Sequence, residues 1–380
     1  MASPFGGGGT PFGVTERGLG RKEERILKLI HCADIHLDSP METNLSADKA
    51  RERKLEIRST FSRMVRSAAE EGVEAILIAG DLFDGARVTK STENYVLDLI
   101  ASHPMIDFYY LSGNHDQGSA LANTSQLPAN LYTFGKLWST YRRGNVAITG
   151  AALADADTLS LNKEDINILL LHGQERKSAG VAGEDVIHLG RFKNKHIDYA
   201  ALGHIHEYRP IRLDTRGIAC YSGCLEGRGF DECGTKGYVV LEIDGSRISH
   251  RFVPFATRTL HTVECDVTGF FSGLELEERM LASVANIAPR DMVKVVLTGT
   301  KSAESTLDLA HLRGVLAEKF YFAKVKDETR LLINAEDYAH DISLKGEFVR
   351  RVMASSLSES EKERVIACGF RALSGEELGI

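Results

Sequence analysis

No stretch of this chain of 380 residues runs to about 18 apolar residues, so no membrane-spanning helix is expected. The opening residues, MASPFGGGGTPFGVTERGLGRKEE, hold no apolar stretch of the kind a secretory signal requires. They are Gly-rich and without apolar periodicity, and residues 1–24 read as a disordered tail. The six cysteines lack paired C-x-x-C spacing. Cys220, Cys224 and Cys233 come nearest to a zinc pattern, but no fourth ligand accompanies them. Reduced thiols in a cytoplasmic protein are therefore expected.

A basic excess is missing too. The formal net charge is −7 and the pI about 6.0, whereas nucleic-acid binders commonly show a basic footprint. Bound divalent cations would add local positive charge that this count omits. Charge is also uneven: Lys49, Arg51, Arg53, Lys54, Arg58, Arg63 and Arg66 stand against only Glu52 and Glu56. The expectation for that run is a solvated helix face, with phosphate contact as the alternative.

What is present is ordinary for a globular protein, with 43% hydrophobic and 26% charged residues. The length points to two or three domains. From Ile26 the pattern alternates strand and helix. Asp48 to Gly72 carries Ile57, Phe61, Met64, Val65 and Ala68 at helical spacing, with Gly72 as a stop. A strand over Glu74 to Ala79 and a helix near Ser91 to Ser102 follow. After residue 206 the text is strand-rich, in GIACYSG, KGYVVLEIDG and RISHRFVPF. No role follows for the stretch carrying Trp138.

Five short motifs each close an apolar, strand-like run. They are Asp34-Ile35-His36, Gly80-Asp81-Leu82-Phe83-Asp84, Gly113-Asn114-His115-Asp116, His172-Gly173 and Gly203-His204-Ile205-His206. One such motif means little; five, each where a strand yields to a loop, predict a two-metal site. Two cations roughly 3.5–4 Å apart clamp the attacking and leaving oxygens of an in-line displacement at phosphorus. Such a pair needs a bridging carboxylate, with imidazoles and an amide oxygen completing the shell. Imidazole-rich shells suit transition metals. The expected cofactor is two divalent ions per chain, Mn²⁺ first, with Fe, Zn or Mg as alternatives. Of the thirteen histidines, five fall in these motifs. His31 lies on the opposite strand parity to Asp34 and reads as packing, or as support behind the ligands.

This motif set, D-x-H, G-D-x-x-D, G-N-H-D, H-G and G-H-x-H, resembles the calcineurin-like metallophosphoesterases. HCADIHLDSP, AGDLFD, and GHIHEYRP followed by Tyr221-Ser222-Gly223 and EGRGFDE resemble its DNA-repair exonuclease branch, of SbcD and YhaO type. The resemblance implies an α+β fold: two mixed β-sheets face to face with flanking helices (αββα), a small α/β capping domain and C-terminal helices. It assigns Asp34, His36, Asp81 and His206 to one metal, and Asp81, Asn114, His172 and His204 to the other, with Asp81 bridging. His115 would protonate the leaving oxygen, a task suited to an imidazole of ordinary pKa, about 6.5. Asp116 would orient His115. At Asp84 many relatives carry histidine, which leaves the balance of exonuclease and endonuclease action open. Arg228, among Gly223, Gly227, Gly229 and Gly234, would grip a substrate phosphate or anchor its own loop.

The expected organisation is residues 25–258 as a nuclease domain, 259–338 as a capping, DNA-binding domain, and 339–380 as C-terminal helices. The cap reads as strand–helix–strand–helix–strand, closed by RLLINAE. Leu344, Phe348, Val349, Val352 and Leu357 form a stripe, and Ser360 with Glu363 resembles a capping box. The implied partners are DNA, a coiled-coil ATPase of SbcC or YhaN kind and a second copy of the chain. The expected function is Mn²⁺-dependent DNA hydrolysis, with a small-molecule phosphodiesterase or phosphatase on the same core as the alternative.

Overall fold

The computed structural model describes residues 26–41, 45–85, 88–116, 121, 127–152, 154–176, 185–302, 307–332 and 338–373. The tail expected over residues 1–24 lies outside them. Among the described residues no helix is long and apolar enough to cross a membrane.

The chain opens with β1 (Leu27–Cys32), α1 (Ala47–Glu70), β2 (Ala75–Ala79), α2 (Lys90–Ala101), β3 (Asp107–Leu111) and β4 (Leu131–Phe134). These strands are short and apolar, and β2 is buried along its whole length, as a parallel strand covered on both faces must be. Next come β5 (Ser139–Arg143), β6 (Val146–Gly150), β7 (Ile166–His172), β8 (Gln174–Glu175), β9 (Val186–Ile187), β10 (Tyr199–Gly203), β11 (Arg209–Arg212) and β12 (Ile218–Tyr221). The hairpin of β13 (Gly237–Asp244) and β14 (Arg247–Pro254) then returns to pair with β1.

Two six-stranded mixed sheets result, in the orders β14-β13-β1-β2-β3-β4 and β11-β12-β10-β7-β6-β5. Strand alternation sends one face of each into a shared core, where Leu29, Leu77, Leu111 and Val239 meet Ile148, Ile168, Leu170 and Ala201. His31 belongs to that layer. Its Nδ1 lies 3.0 Å from Tyr199 Oη, and burial pulls the imidazole down to about 3, so it is a neutral packing residue. The other face of the first sheet is covered by α1 and α2 through Ile57, Phe61, Met64, Val96 and Ile100. Over the second sheet lie 3₁₀ turns at Ala156–Thr158 and Leu189–Phe192. There Trp138 packs edge-on to Phe192, and its Nε1 donates to the Asp155 carbonyl at 2.9 Å, which gives this residue a role the sequence left open.

A separate three-stranded parallel sheet follows, built from β15 (Leu260–Asp266), β16 (Met292–Thr298) and, after β17 (Thr300–Ser302), β18 (Phe322–Asp327), in the order β15-β16-β18. Helices α3 (Gly273–Ser283) and α4 (Leu309–Lys319) cover one face and share a core of Val293, Val295, Leu297, Met280 and Leu316. The expected closing strand is corrected here. FAKVKD closes the sheet, whereas β19 (Arg330–Leu332) pairs with β17 in a two-stranded ladder.

Finally α5 (Leu344–Met353) and α6 (Glu359–Leu373) pack together through Val349, Val352, Ile366 and Phe370, while Leu344 stays exposed. The capping box sits two residues earlier than the sequence indicated. Ser358 N donates to Glu361 Oε2 at 2.8 Å, and α6 starts at Glu359.

The basic run on α1 is not a simple solvated face. Arg53 is fully buried and donates to Glu56, to Glu226 Oε2 at 3.4 Å and to the Gly227 carbonyl at 2.8 Å. Arg58 stacks on Tyr95, Arg63 donates to Thr257 and to the Phe255 carbonyl, and Lys49 donates to the Tyr321 carbonyl beside β18.

Candidate metal centre

The motif residues sit where strands of both sheets end on one side of the molecule. After β1 and β2 the chain continues as two adjacent loops hydrogen-bonded to each other. Asp34 N donates to Gly80 O at 3.1 Å, His36 N to Asp81 O at 3.0 Å and Leu37 N to Leu82 O at 2.9 Å. This fixes Asp34, His36 and Asp81 side by side, and all three are almost fully buried. From the second sheet, β7 delivers His172 and the turn after β10 delivers His204 and His206. Two glycines permit the approach. A side chain at Gly80, whose φ is +90°, would collide with the His172 ring, and one at Gly113 would collide with the Asp81 carboxylate.

Among the described residues, eight non-glycines have positive φ, and four of them are Asp34 (51°), His36 (50°), Asp81 (51°) and His204 (97°). Backbone strain concentrated on one cluster of titratable side chains points to a site whose surroundings over-determine it.

Two points of convergence share Asp81. At the first, Asp34, His36 and His206 come together, with His36 Nε2 3.2 Å from His206 Nε2 and the latter 3.9 Å from Asp34 Oδ1. His206 Nδ1 donates to Glu232 Oε1 at 2.7 Å, which turns the Nε2 lone pair inward. Asp81 Oδ2 lies 3.9 Å from His36 Nε2. At the second, His172 Nε2 lies 3.3 Å from Asp81 Oδ2 and 3.0 Å from Asn114 Oδ1. His172 Nδ1 donates to the Ala79 carbonyl at 2.8 Å, which again aims Nε2 inward. The His204 ring stands edge-on to His172 at 5.4 Å, and its backbone N–H donates to Asp34 Oδ1 at 2.9 Å. These lone pairs face one another, so only a proton or a cation between them satisfies the arrangement. Carboxylate, imidazole and amide oxygen in this mixture fit a pair of divalent ions.

The electrostatics match. Burial raises Asp34 to about 6 although His172 and His206 lie close. Burial acts against ionisation of Asp81 as well, but its hydrogen bond to His172 and the charges of His172 and His36 hold it at about 2. His172 is pulled down by burial and up by Asp81 and Asp34, which prevail and carry it to about 9. The two carboxylates thus favour positive charge at the second convergence.

His115 lies beside these groups rather than among them. Its side chain is 45% exposed, and its Nδ1 is 3.1 Å from Asp84 Oδ1. The same oxygen is 3.5 Å from His36 Nδ1. The residue that faces His115 is therefore Asp84, and the expectation for Asp116 is corrected. Asp116 is buried and accepts from the backbone N–H groups of Phe83 (2.8 Å), Gly113 (2.9 Å) and Leu82 (3.3 Å), which ties the two motif loops together. Arg228 is held by carboxylates, with Nη2 donating to Glu232 Oε1 at 2.8 Å and Nη1 3.3 Å from Asp84 Oδ2. Glu232 was missed as a functional residue; its only signal is a place in the GFDE stretch. Cys220, Cys224 and Cys233 do not converge. Cys220 is in the inter-sheet core, Cys224 lies under His206, and Cys233 reaches Thr262.

The family model for calcineurin-like phosphoesterases matches residues 27–208, which span every one of the motif loops. The chain is 27% identical over 250 residues to the uncharacterized metallophosphoesterase YhaO of Bacillus subtilis, covering 60% of each. It is 28% identical to the DNA double-strand break repair protein Mre11 of Aeropyrum pernix, covering 63% of this chain and 64% of that one. To the protein of the same name from Methanopyrus kandleri it is 23% identical, covering 87% and 78%. It thus spans less than two thirds of the first two relatives.

Proposed function

Since the chain carries a calcineurin-like metallophosphoesterase domain, we propose that it is a Mn²⁺-dependent DNA nuclease that hydrolyses phosphodiester bonds, chiefly as an exonuclease. The observation that carries this reading is the pair of adjoining lone-pair convergences sharing Asp81. Asp34, His36, Asp81 and His206 would hold one ion, and Asp81, Asn114, His172 and His204 the other. Two ions so held would supply the positive charge that polarises a phosphate ester and acidifies water.

The remaining chemistry belongs to the chain. His115, whose Nδ1 faces Asp84 Oδ1 at 3.1 Å, would protonate the departing sugar oxygen through Nε2. Glu232 and the Ala79 carbonyl fix the tautomers of His206 and His172, so no ligand reorients during turnover.

DNA as substrate is supported by the names of the repair proteins among the relatives and by a lysine-bearing sheet face. On the side of the three-stranded sheet away from α3 and α4, register aligns Thr262, Lys294 and Lys324 in one row and Glu264, Val296 and Lys326, the last paired with Glu328, in the next. Two adjacent ammonium groups in one row suit a polyanion. All six cysteines are unpaired, in keeping with a reduced cytoplasmic setting. In this reading α5 and α6 dock a coiled-coil ATPase.

The test is hydrolysis of labelled duplex and single-stranded DNA, bis-p-nitrophenyl phosphate and cyclic nucleotides with Mn²⁺ and with chelator. Metal-dependent DNA cleavage is expected. Turnover of cyclic nucleotides with DNA untouched would favour a small-molecule phosphodiesterase, the reading to which the acidic net charge leans.

A further inference from the structure

We propose that Arg228 is a positioning residue for His115, acting through Asp84, and that Glu232 holds Arg228 and His206 at once. The inference rests on the phosphodiesterase reading and adds to it the device that aims its general acid.

Arg228 has little freedom. Its backbone N–H donates to Glu232 Oε2 at 2.8 Å and its Nη2 to Glu232 Oε1 at 2.8 Å, so one carboxylate grips both ends of the residue. The chain just before it is anchored to α1, where Arg53 donates to the Gly227 carbonyl at 2.8 Å and Thr60 Oγ1 to Glu226 Oε1 at 2.7 Å. From this fixed base Nη1 reaches Asp84 Oδ2 at 3.3 Å. That leaves Oδ1, the other oxygen, to face His115 Nδ1 at 3.1 Å. A guanidinium on one oxygen, added to His36 on the other, restrains rotation about the Cβ–Cγ bond of Asp84 and so favours one orientation of the ring it faces.

A phosphate-gripping role fits the geometry less well. Nε, Nη1 and Nη2 each face a carboxylate oxygen, and the side chain is only 20% exposed. The two roles separate kinetically. Loss of a phosphate contact raises KM for every ester. Loss of positioning lowers kcat, and only where the leaving group needs a proton.

Arg228→Met and wild type should be compared on bis-p-nitrophenyl phosphate and on diphenyl phosphate, with bound Mn²⁺ measured in parallel. The expected result is two Mn²⁺ per chain in both, little change on the nitrophenyl ester, and a fall in kcat of about 10–100-fold on the phenyl ester, within what a general acid contributes. Arg228→Lys keeps the cation but reaches only one of the two carboxylates. It should show the same selective loss, and it decides the matter if the Met variant does not fold. Equal losses on both esters, a rise in KM alone, or a chain stripped of metal would each overturn the inference and leave the proposed function standing. A wild-type chain that hydrolyses neither ester with Mn²⁺ would remove the proposed function and this inference together.

Discussion

At the scale of single residues, the site separates groups that would hold charge from groups that would move a proton. Asp81 faces His36 at one convergence and His172 at the other. Asp81→Asn should lower Mn²⁺ occupancy from about two per chain toward one and abolish phosphodiester hydrolysis, because an amide supplies one neutral oxygen where two ions need a shared carboxylate. Metal analysis and turnover check this, and two bound ions with near-wild-type rates would sink the bridging role. His115→Asn should behave oppositely, with both ions kept and turnover on DNA cut about 10²–10⁴-fold. Collapse of metal binding would make His115 a ligand. These residues were legible in the sequence because each follows directly on an apolar strand, so the strand pattern announced where they converge. Glu232 and the contact between Asp84 and His115 were not legible, since the first depends on the loop after Tyr221 turning back to His206 and the second on how two separate motif loops close on each other.

At the scale of elements, α1 shows how composition misleads. Seven basic residues read as a wetted face, yet Arg53 lies four before Ile57 on the apolar stripe, and that spacing was the available signal for its burial. Arg53→Met should leave Glu226 buried without its guanidinium and destabilise the protein by about 3–5 kcal/mol, the range for breaking a buried ion pair on one side. Urea melts of this variant and of Arg53→Met with Glu226→Gln test it. The double variant should regain part of the loss, and a single variant as stable as wild type would refute the pairing. In the third sheet the lysines of FAKVKD hid a strand whose alternate residues Ala323 and Val325 face the core. The stripe was legible in part: Val349 and Val352 are buried against α6 with Phe348 packed beside them, whereas Leu344 and Leu357 are exposed. Val352→Asp should unravel this helix pair, forfeiting at least the roughly 1.5–3 kcal/mol of one buried side chain. Proteolysis should then cut near residues 354–358, while small-ester hydrolysis persists. Unchanged protease resistance would count against the packing described.

At the scale of the whole molecule, metal loading and folding are linked. Ions that bind only the folded chain stabilise it by RT ln(1 + [L]/Kd), about 2.7 kcal/mol at a hundredfold excess over Kd. Loading must displace the proton on His172, raised to about 9, and any proton on Asp34, raised to about 6. Protons released on binding make apparent affinity rise with pH, by up to tenfold per unit for each group still protonated, to about pH 6 for Asp34 and about pH 9 for His172. The gain in thermal midpoint on adding a fixed Mn²⁺ concentration should therefore grow from pH 6 through pH 7.5 to pH 8.5. A gain that shrinks as pH rises would contradict the assignment.

The loop from Glu226 to Lys236 touches both parts of this molecule. On one side its Arg228 and Glu232 hold Asp84 and His206. On the other, Gly234 N donates to the Leu260 carbonyl at 2.9 Å, Cys233 meets Thr262, and Phe230 stacks over Phe322. A load that shifts the three-stranded sheet by an ångström must break that backbone bond or drag the loop with it. Tension on the small sheet should thus change how fast this metallophosphoesterase core cleaves difficult esters while the ions stay bound, which a single-molecule pulling assay can read.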